Sequence, residues 1–152
     1  MPQSIAKVAV HIVFSTKERR PLLRPPELRE ELYAYMATIL RNNVDSPVIL
    51  IGGVDDHVHA LVLLSRRFAI TKVLEEMKTE TSKWLKTKSS RLSTFSWQNG
   101  YGIFSVSESN IEQVKNYIAG QEEHHRRMTF QEEFRALCQR HGIEIDERYA
   151  WG

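Results

Sequence analysis

Cysteine is almost missing from this chain, with one in 152 residues, so no intramolecular disulfide can staple it. That residue, Cys138, falls in the apolar spacing Phe134, Leu137, Cys138 and is read as a small buried hydrophobe, not a nucleophile. Long hydrophobic runs are missing too: no stretch of about 18 apolar residues occurs, and no charged-then-apolar leader opens the chain. The expectation is a protein of the reducing cytoplasm with no membrane partner. An excess of one charge is also lacking, since 21 basic and 19 acidic residues leave only +2. A case for nucleic acid must therefore rest on where the charges lie. Internal repeats and low-complexity tracts are absent. What remains, 41% hydrophobic and 26% charged residues, matches a soluble globular domain and excludes disorder and fibrous architecture. A chain of this length builds one core.

The segment from Ile5 to Phe14 sets Val8, Val10, Ile12 and Phe14 against Lys7, Ala9, His11 and Val13, the alternation of a strand. Pro25-Pro26 then opens a helix, with Glu27, Glu30 and Glu31 near its positive end and Leu28, Leu32, Tyr35, Met36, Ile39 and Leu40 along one face. Val48 to Val54 and His57 to Leu64 read as two strands joined by the tight turn Asp55-Asp56. A second helix covers Ile70 to about Lys88, and a short fourth strand covers Ile103 to Val106. Ser109 and Glu112 have capping-box spacing, so a third helix is expected from about Asn110 to Arg127, followed by a last one from Phe130 to His141. Strand, helix, hairpin, helix, strand, helix is the order of an α+β ferredoxin-like sandwich, an antiparallel β-sheet with helices packed on one face.

His57-Val58-His59 places two imidazoles on the same face of one strand, which is metal-ligand spacing. With six histidines in the chain, a chance pair on a sheet surface competes with that reading. Against chance, the strand continues as Ala60-Leu61-Val62-Leu63-Leu64, apolar on both sides, and imidazoles heading a buried strand need partners. On the third helix, Tyr117 and Gln121 lie one turn apart, with Val114 and His124 extending their stripe. Ile111, Val114 and Ile118 face the core, which puts Tyr117 at the border, as an anchoring tyrosine or as a nucleophile.

Several separated segments, taken together and in order, resemble one family. They are His11-Ile12-Val13-Phe14-Ser15-Thr16-Lys17, Gly52-Gly53-Val54-Asp55-Asp56-His57-Val58-His59, Trp97 to Ser107, Asn116 to His125, and His141 to Trp151. The resemblance is to the single-tyrosine HUH transposases of the smallest bacterial insertion sequences, to which the REP-associated tyrosine transposases are related. It covers nearly the whole chain and implies a single HUH domain over residues 1–152, with 130–152 as a C-terminal helical tail. It further implies metal-dependent cleavage and rejoining of single-stranded DNA with hairpin ends, through a 5′-phosphotyrosine. Tyr117 would be the nucleophile, His57, His59 and Gln121 the metal ligands, Mg2+ or Mn2+ the ion, and a homodimer the working form. His124 ranks below Gln121 as a ligand because the family pattern points to Gln121.

Charge placement suits such a substrate. Lys17, Arg19, Arg20 and Arg24 follow the first strand, and Arg66, Arg67, Lys72, Lys78, Lys83, Lys86, Lys88 and Arg91 surround the second helix. Of these, Lys17, Arg19, Arg20, Arg66, Arg67, Lys78, Lys83 and Lys86 are the candidate DNA contacts; each alone could equally belong to a solvated face. Trp97 and Tyr101 could stack on unpaired bases, with burial of both under the adjoining strand the default. Two rival functions stand beside transposition: a host-adapted nuclease specific for genomic hairpins, and a non-catalytic ferredoxin-like nucleic-acid-binding module.

Overall fold

A computed structural model describes residues 3–152. Four strands, β1 (Ala9–Ser15), β2 (Val48–Gly53), β3 (His57–Leu63) and β4 (Gly102–Val106), form one antiparallel sheet in the order β2-β3-β1-β4. Between them run α1 (Pro26–Val44) and α2 (Ile70–Lys86), and after β4 come α3 (Ile111–Ala119), the single turn α4 (Gln121–His124) and α5 (Phe130–Arg140). This is the ferredoxin-like order expected, with both helical crossovers on one face. Among the described residues no helix is long and apolar enough to cross a membrane.

Strand alternation gives the sheet two different faces. Val10, Ile12 and Phe14 of β1 and Val58, Ala60 and Val62 of β3 point to α1 and α2, where Leu32, Met36, Leu40, Val73, Leu74, Met77 and Leu85 close a core. The opposite face carries His11 and Val13 of β1, His57, His59 and Leu61 of β3, and Phe104 of β4. There α3 and α5 add a second cover, beyond the one-sided packing the element order suggests: Phe130, Phe134, Leu137 and Cys138 of α5 pack on Val13 and Phe104. Two glycines let these helices down onto the sheet. Gly52 pairs with His59, and a Cβ there would lie 2.8 Å from the carbonyl oxygen of Ile118 on α3. Gly102 pairs with Val13, and its Cβ would lie 2.7 Å from the Phe134 ring on α5.

Three boundaries differ from the sequence reading. The first strand starts at Ala9, where its ladders to β3 and β4 begin, leaving Ile5 and Val8 exposed before them. Ser109 lies in a 3-10 turn (Glu108–Asn110) and bonds Ser107, so the capping box forms elsewhere: Thr129 accepts from the Glu132 amide and starts α5. The long third helix is broken at Gly120, whose φ of −92° and ψ of 17° leave helical geometry.

Candidate active site

The second face of the sheet holds a cluster of polar side chains that water hardly reaches. His57 and His59 project from β3 and His11 from β1, all buried, with Gln121 and Glu133 buried above them. Tyr117 of α3 and His125, just after α4, close the sides, half-buried. Five groups converge on the carboxylate of Glu133. Its Oε1 lies 2.9 Å from His59 Nε2, 2.9 Å from His125 Nε2 and 3.2 Å from His57 Nε2. Its Oε2 accepts a 2.9 Å bond from the Gln121 amide and one from the Tyr117 hydroxyl. Gln121 Oε1 stands 3.0 Å from His57 Nε2.

Behind the cluster, each strand histidine is fixed through its other nitrogen. His57 Nδ1 lies 2.6 Å from Asp56 Oδ1, and His59 Nδ1 lies 2.7 Å from His11 Nε2. Both Nε2 atoms are thereby aimed at the same point, the arrangement by which outer partners orient metal-binding imidazoles. Together His57, His59, His125 and Glu133 offer four ligand atoms that all lie within 4.8 Å of one another. Three imidazole nitrogens and a carboxylate oxygen suit a first-row divalent ion, so the residues present fit a metal.

Without an ion, charge is divided unevenly. Burial works to lower the pKa of His57, but hydrogen bonds to Asp56 and Glu133 outweigh it and raise the group to about 9. Burial dominates at His59, which falls to about 4 despite Glu133. Burial and the neighbouring His59 bring His11 down to about 3. Burial favours a neutral Glu133, yet bonds from His125, His57 and His59 hold it well below the usual carboxylate range. The cluster therefore carries one buried imidazolium, His57, against one buried carboxylate. For Tyr117, burial and the Glu133 bond both push the hydroxyl's pKa up, against phenolate formation.

Tyr117 also lines a cavity of about 370 Å³ between β4, α3 and α5, with His11, Ser105, Asn110, Gln113 and Arg140 among its walls. The nucleophile candidate thus faces both the histidine cluster and an open cleft.

Of the residues singled out from sequence, His57, His59, Tyr117 and Gln121 meet in this one site. The basic residues do not gather there. Lys17, Arg19 and Arg20 follow Ser15, which pairs with His57, so they lie at the same end of the sheet. Arg66 and Arg67 follow the far end of β3, about 20 Å away along a seven-residue strand. Lys78 donates to the carbonyls of Gln98, Asn99 and Gly100, and burial lowers its pKa to about 8, which makes it a loop clamp. Lys83 and Lys86 border a separate cavity of about 360 Å³ on α2. Arg19 bonds the Trp151 carbonyl, Arg20 pairs with Glu18, and Arg67 with Asp45. Trp97 is buried, its indole bonded to Thr81. Sequence reasoning missed Glu133, His125, His11 and Asp56. Glu133 had a signal: Phe130, Glu133, Phe134, Leu137 and Cys138 form one helical stripe, with a carboxylate in apolar company.

The sequence profile described as "Transposase IS200 like" matches residues 4–121. Two solved structures share the fold. A protein of Deinococcus radiodurans R1 assigned as a transposase superposes with a TM-score of 0.61 at 20% identity, covering 80% of this chain and 95% of its own. A REP-associated tyrosine transposase bound to a REP hairpin gives 0.60 at 12% identity, covering 82% and 73%. Among curated proteins none matches.

Proposed function

This chain belongs to the IS200-like transposase family, and from that premise we propose that it cuts and rejoins single-stranded DNA through a covalent bond to Tyr117. The observation that carries the proposal is the convergence of Tyr117, Gln121, His57 and His59 at one buried site beside an open cleft. His57 and His59, backed by Asp56 and His11, would hold a divalent ion, Mg2+ or Mn2+, with Gln121 beside them. When bound, that ion supplies positive charge against the non-bridging oxygens of the scissile phosphate. The Tyr117 oxygen forms the bond to phosphorus, and the bond from phosphorus to the 3′ oxygen breaks. The leaving 3′ oxygen is recovered as a hydroxyl, taking up the proton that the phenol gives up. The 5′ end stays on Tyr117 until a new 3′-hydroxyl reverses the step. Arg140 and His141, exposed in the cleft wall, suit the strand's phosphates. Lys17, Arg19 and Arg20 would extend this contact at the His57 end of the sheet, with Arg66, Arg67, Lys83 and Lys86 reaching more distant DNA. By extension from the hairpin-bound relative, the substrate would carry a hairpin next to the cut; the homodimer as working form rests on the family resemblance alone.

The test is incubation with labelled single-stranded hairpin DNA and Mn2+, followed by denaturing electrophoresis. A covalent protein–DNA adduct is expected from the wild type and none from Tyr117→Phe or from His57→Ala. An adduct that persists in Tyr117→Phe refutes the proposal.

A further inference from the structure

The carboxylate at the centre of the site lies beyond the segment that the sequence profile matches: Glu133 is on α5, twelve residues past the end of the match at 121. We propose that Glu133 is itself a ligand of the cation, through Oε1, while its Oε2 holds Tyr117, so that the C-terminal helix is part of the metal site. This deepens the reading above and rests on its metal site.

The number of nitrogens around one oxygen is the first support. A carboxylate oxygen offers two lone pairs, yet Oε1 has three imidazole nitrogens within 3.2 Å. As a hydrogen-bond acceptor it is oversubscribed. As members of one ligand shell the same atoms are close enough: Oε1 lies 2.9–3.2 Å from the three nitrogens, and all four ligand atoms lie within 4.8 Å of one another. The second support is the protonation that an ion would require. Ligation at Nε2 of His57 and His59 uses neutral rings whose remaining proton sits on Nδ1. Asp56 and His11 stand at hydrogen-bond distance from those two Nδ1 atoms, ready to accept that proton. The third is placement. Glu133 is anchored by Phe130, Phe134 and Leu137, which pack on the sheet around it, so its carboxylate is held in the histidine plane by α5 as a whole. Because Oε2 takes bonds from Tyr117 and Gln121, one side chain spans the distance from ion to tyrosine, all within one chain.

Full-length protein without DNA, titrated with Mn2+ by calorimetry and by electron paramagnetic resonance, separates this proposal from the one before it. Wild type should bind one Mn2+. Glu133→Gln, shown by circular dichroism to be folded, should bind at least tenfold more weakly with a changed Mn2+ spectrum, and Glu133→Asp should recover part of the affinity. At Mn2+ concentrations that saturate Glu133→Gln, adduct formation should remain reduced, because the tyrosine has exchanged a charged carboxylate acceptor for a weaker neutral amide. Affinity equal to or tighter than wild type in Glu133→Gln overturns the ligand role and makes the carboxylate a place-holder that the ion displaces. Full recovery of adduct at saturating Mn2+ overturns the hold on Tyr117. A wild type that binds Mn2+ through Glu133 but never forms an adduct would leave this inference standing and sink the proposed reaction.

Discussion

The two faces of the sheet are cut from the same strands and do opposite things. Toward α1 and α2, β1 and β3 present Val10, Ile12, Phe14, Val58, Ala60 and Val62, and the space is closed by aliphatic side chains. Toward α3 and α5 the alternate residues of those strands present His11, His57 and His59, and the helices answer with Gln121 and Glu133. Among the described residues these five make up half of the ten buried polar and charged side chains. The period of two in a strand is what lets stability and chemistry share a backbone without sharing atoms. Apolar burial on the first face supplies free energy roughly in proportion to area. On the second, each buried polar atom costs stability unless paired, and here nearly every group is paired with another member of the site.

If the division is real, damage to one face should spare the other. The largest effect belongs to Phe14→Ala on the apolar face, where a fully buried ring packs edge-on against Trp97. It should cost about 3–5 kcal/mol of folding free energy, measured by urea denaturation, while the Mn2+ affinity of the folded protein stays as in wild type. His11→Phe, three residues earlier but on the other face, should reverse the pattern. Loss of the partner that orients His59 should weaken Mn2+ binding about 10- to 100-fold, read by calorimetry, with a smaller loss of stability than Phe14→Ala gives.

The smallest effect is a pH dependence that only the polar face can produce. In ion-free protein, His57 is raised to about 9, so its contribution is complete below its unfolded value of about 6.5 and fades as pH climbs toward 9. His59 and His11 are lowered to about 4 and 3. Below about 6.5 the unfolded chain therefore binds protons that the fold refuses, and stability falls toward pH 4. Thermal melts with a chelator present should peak between about pH 6.5 and 7 and drop by several degrees on both sides. A flat profile would mean that the cluster is more hydrated than its burial indicates.

The apolar face was legible in the sequence because its pattern is its structure: Val10, Ile12 and Phe14 at spacing two, and Leu32, Met36 and Leu40 at spacing four. His57 and His59 were legible for the same reason, and Tyr117 with Gln121 by the helical turn between them. Glu133 was not, since a glutamate in a short helix reads as solvent-facing until the stripe of Phe130, Phe134 and Leu137 shows that its side of α5 is buried. His125 was hidden by Gly120. Regular helical spacing puts His124 on the Tyr117 side, and it does lie there, the two rings tilted by 31° with centroids 4.8 Å apart. It is His125 that reaches Glu133, after a break whose angle no periodicity encodes. The placement of the basic residues was hidden in another way: charge counts along the chain say nothing of which end of a strand a lysine occupies, or whether three carbonyls already hold it, as they do Lys78.

Gly52 gives the site a mechanical property of its own. With no side chain beneath Ile118, α3 rests on bare backbone, and Tyr117, the adjoining residue, inherits its height above the histidines from that contact. One methyl group at position 52 would act as a shim under Tyr117, the proposed nucleophile. Misplacement of a reacting group by about 1 Å can cost about a hundredfold in rate, so in the proposed reaction the reach of Tyr117 would be gauged by a carbon atom that the chain leaves out.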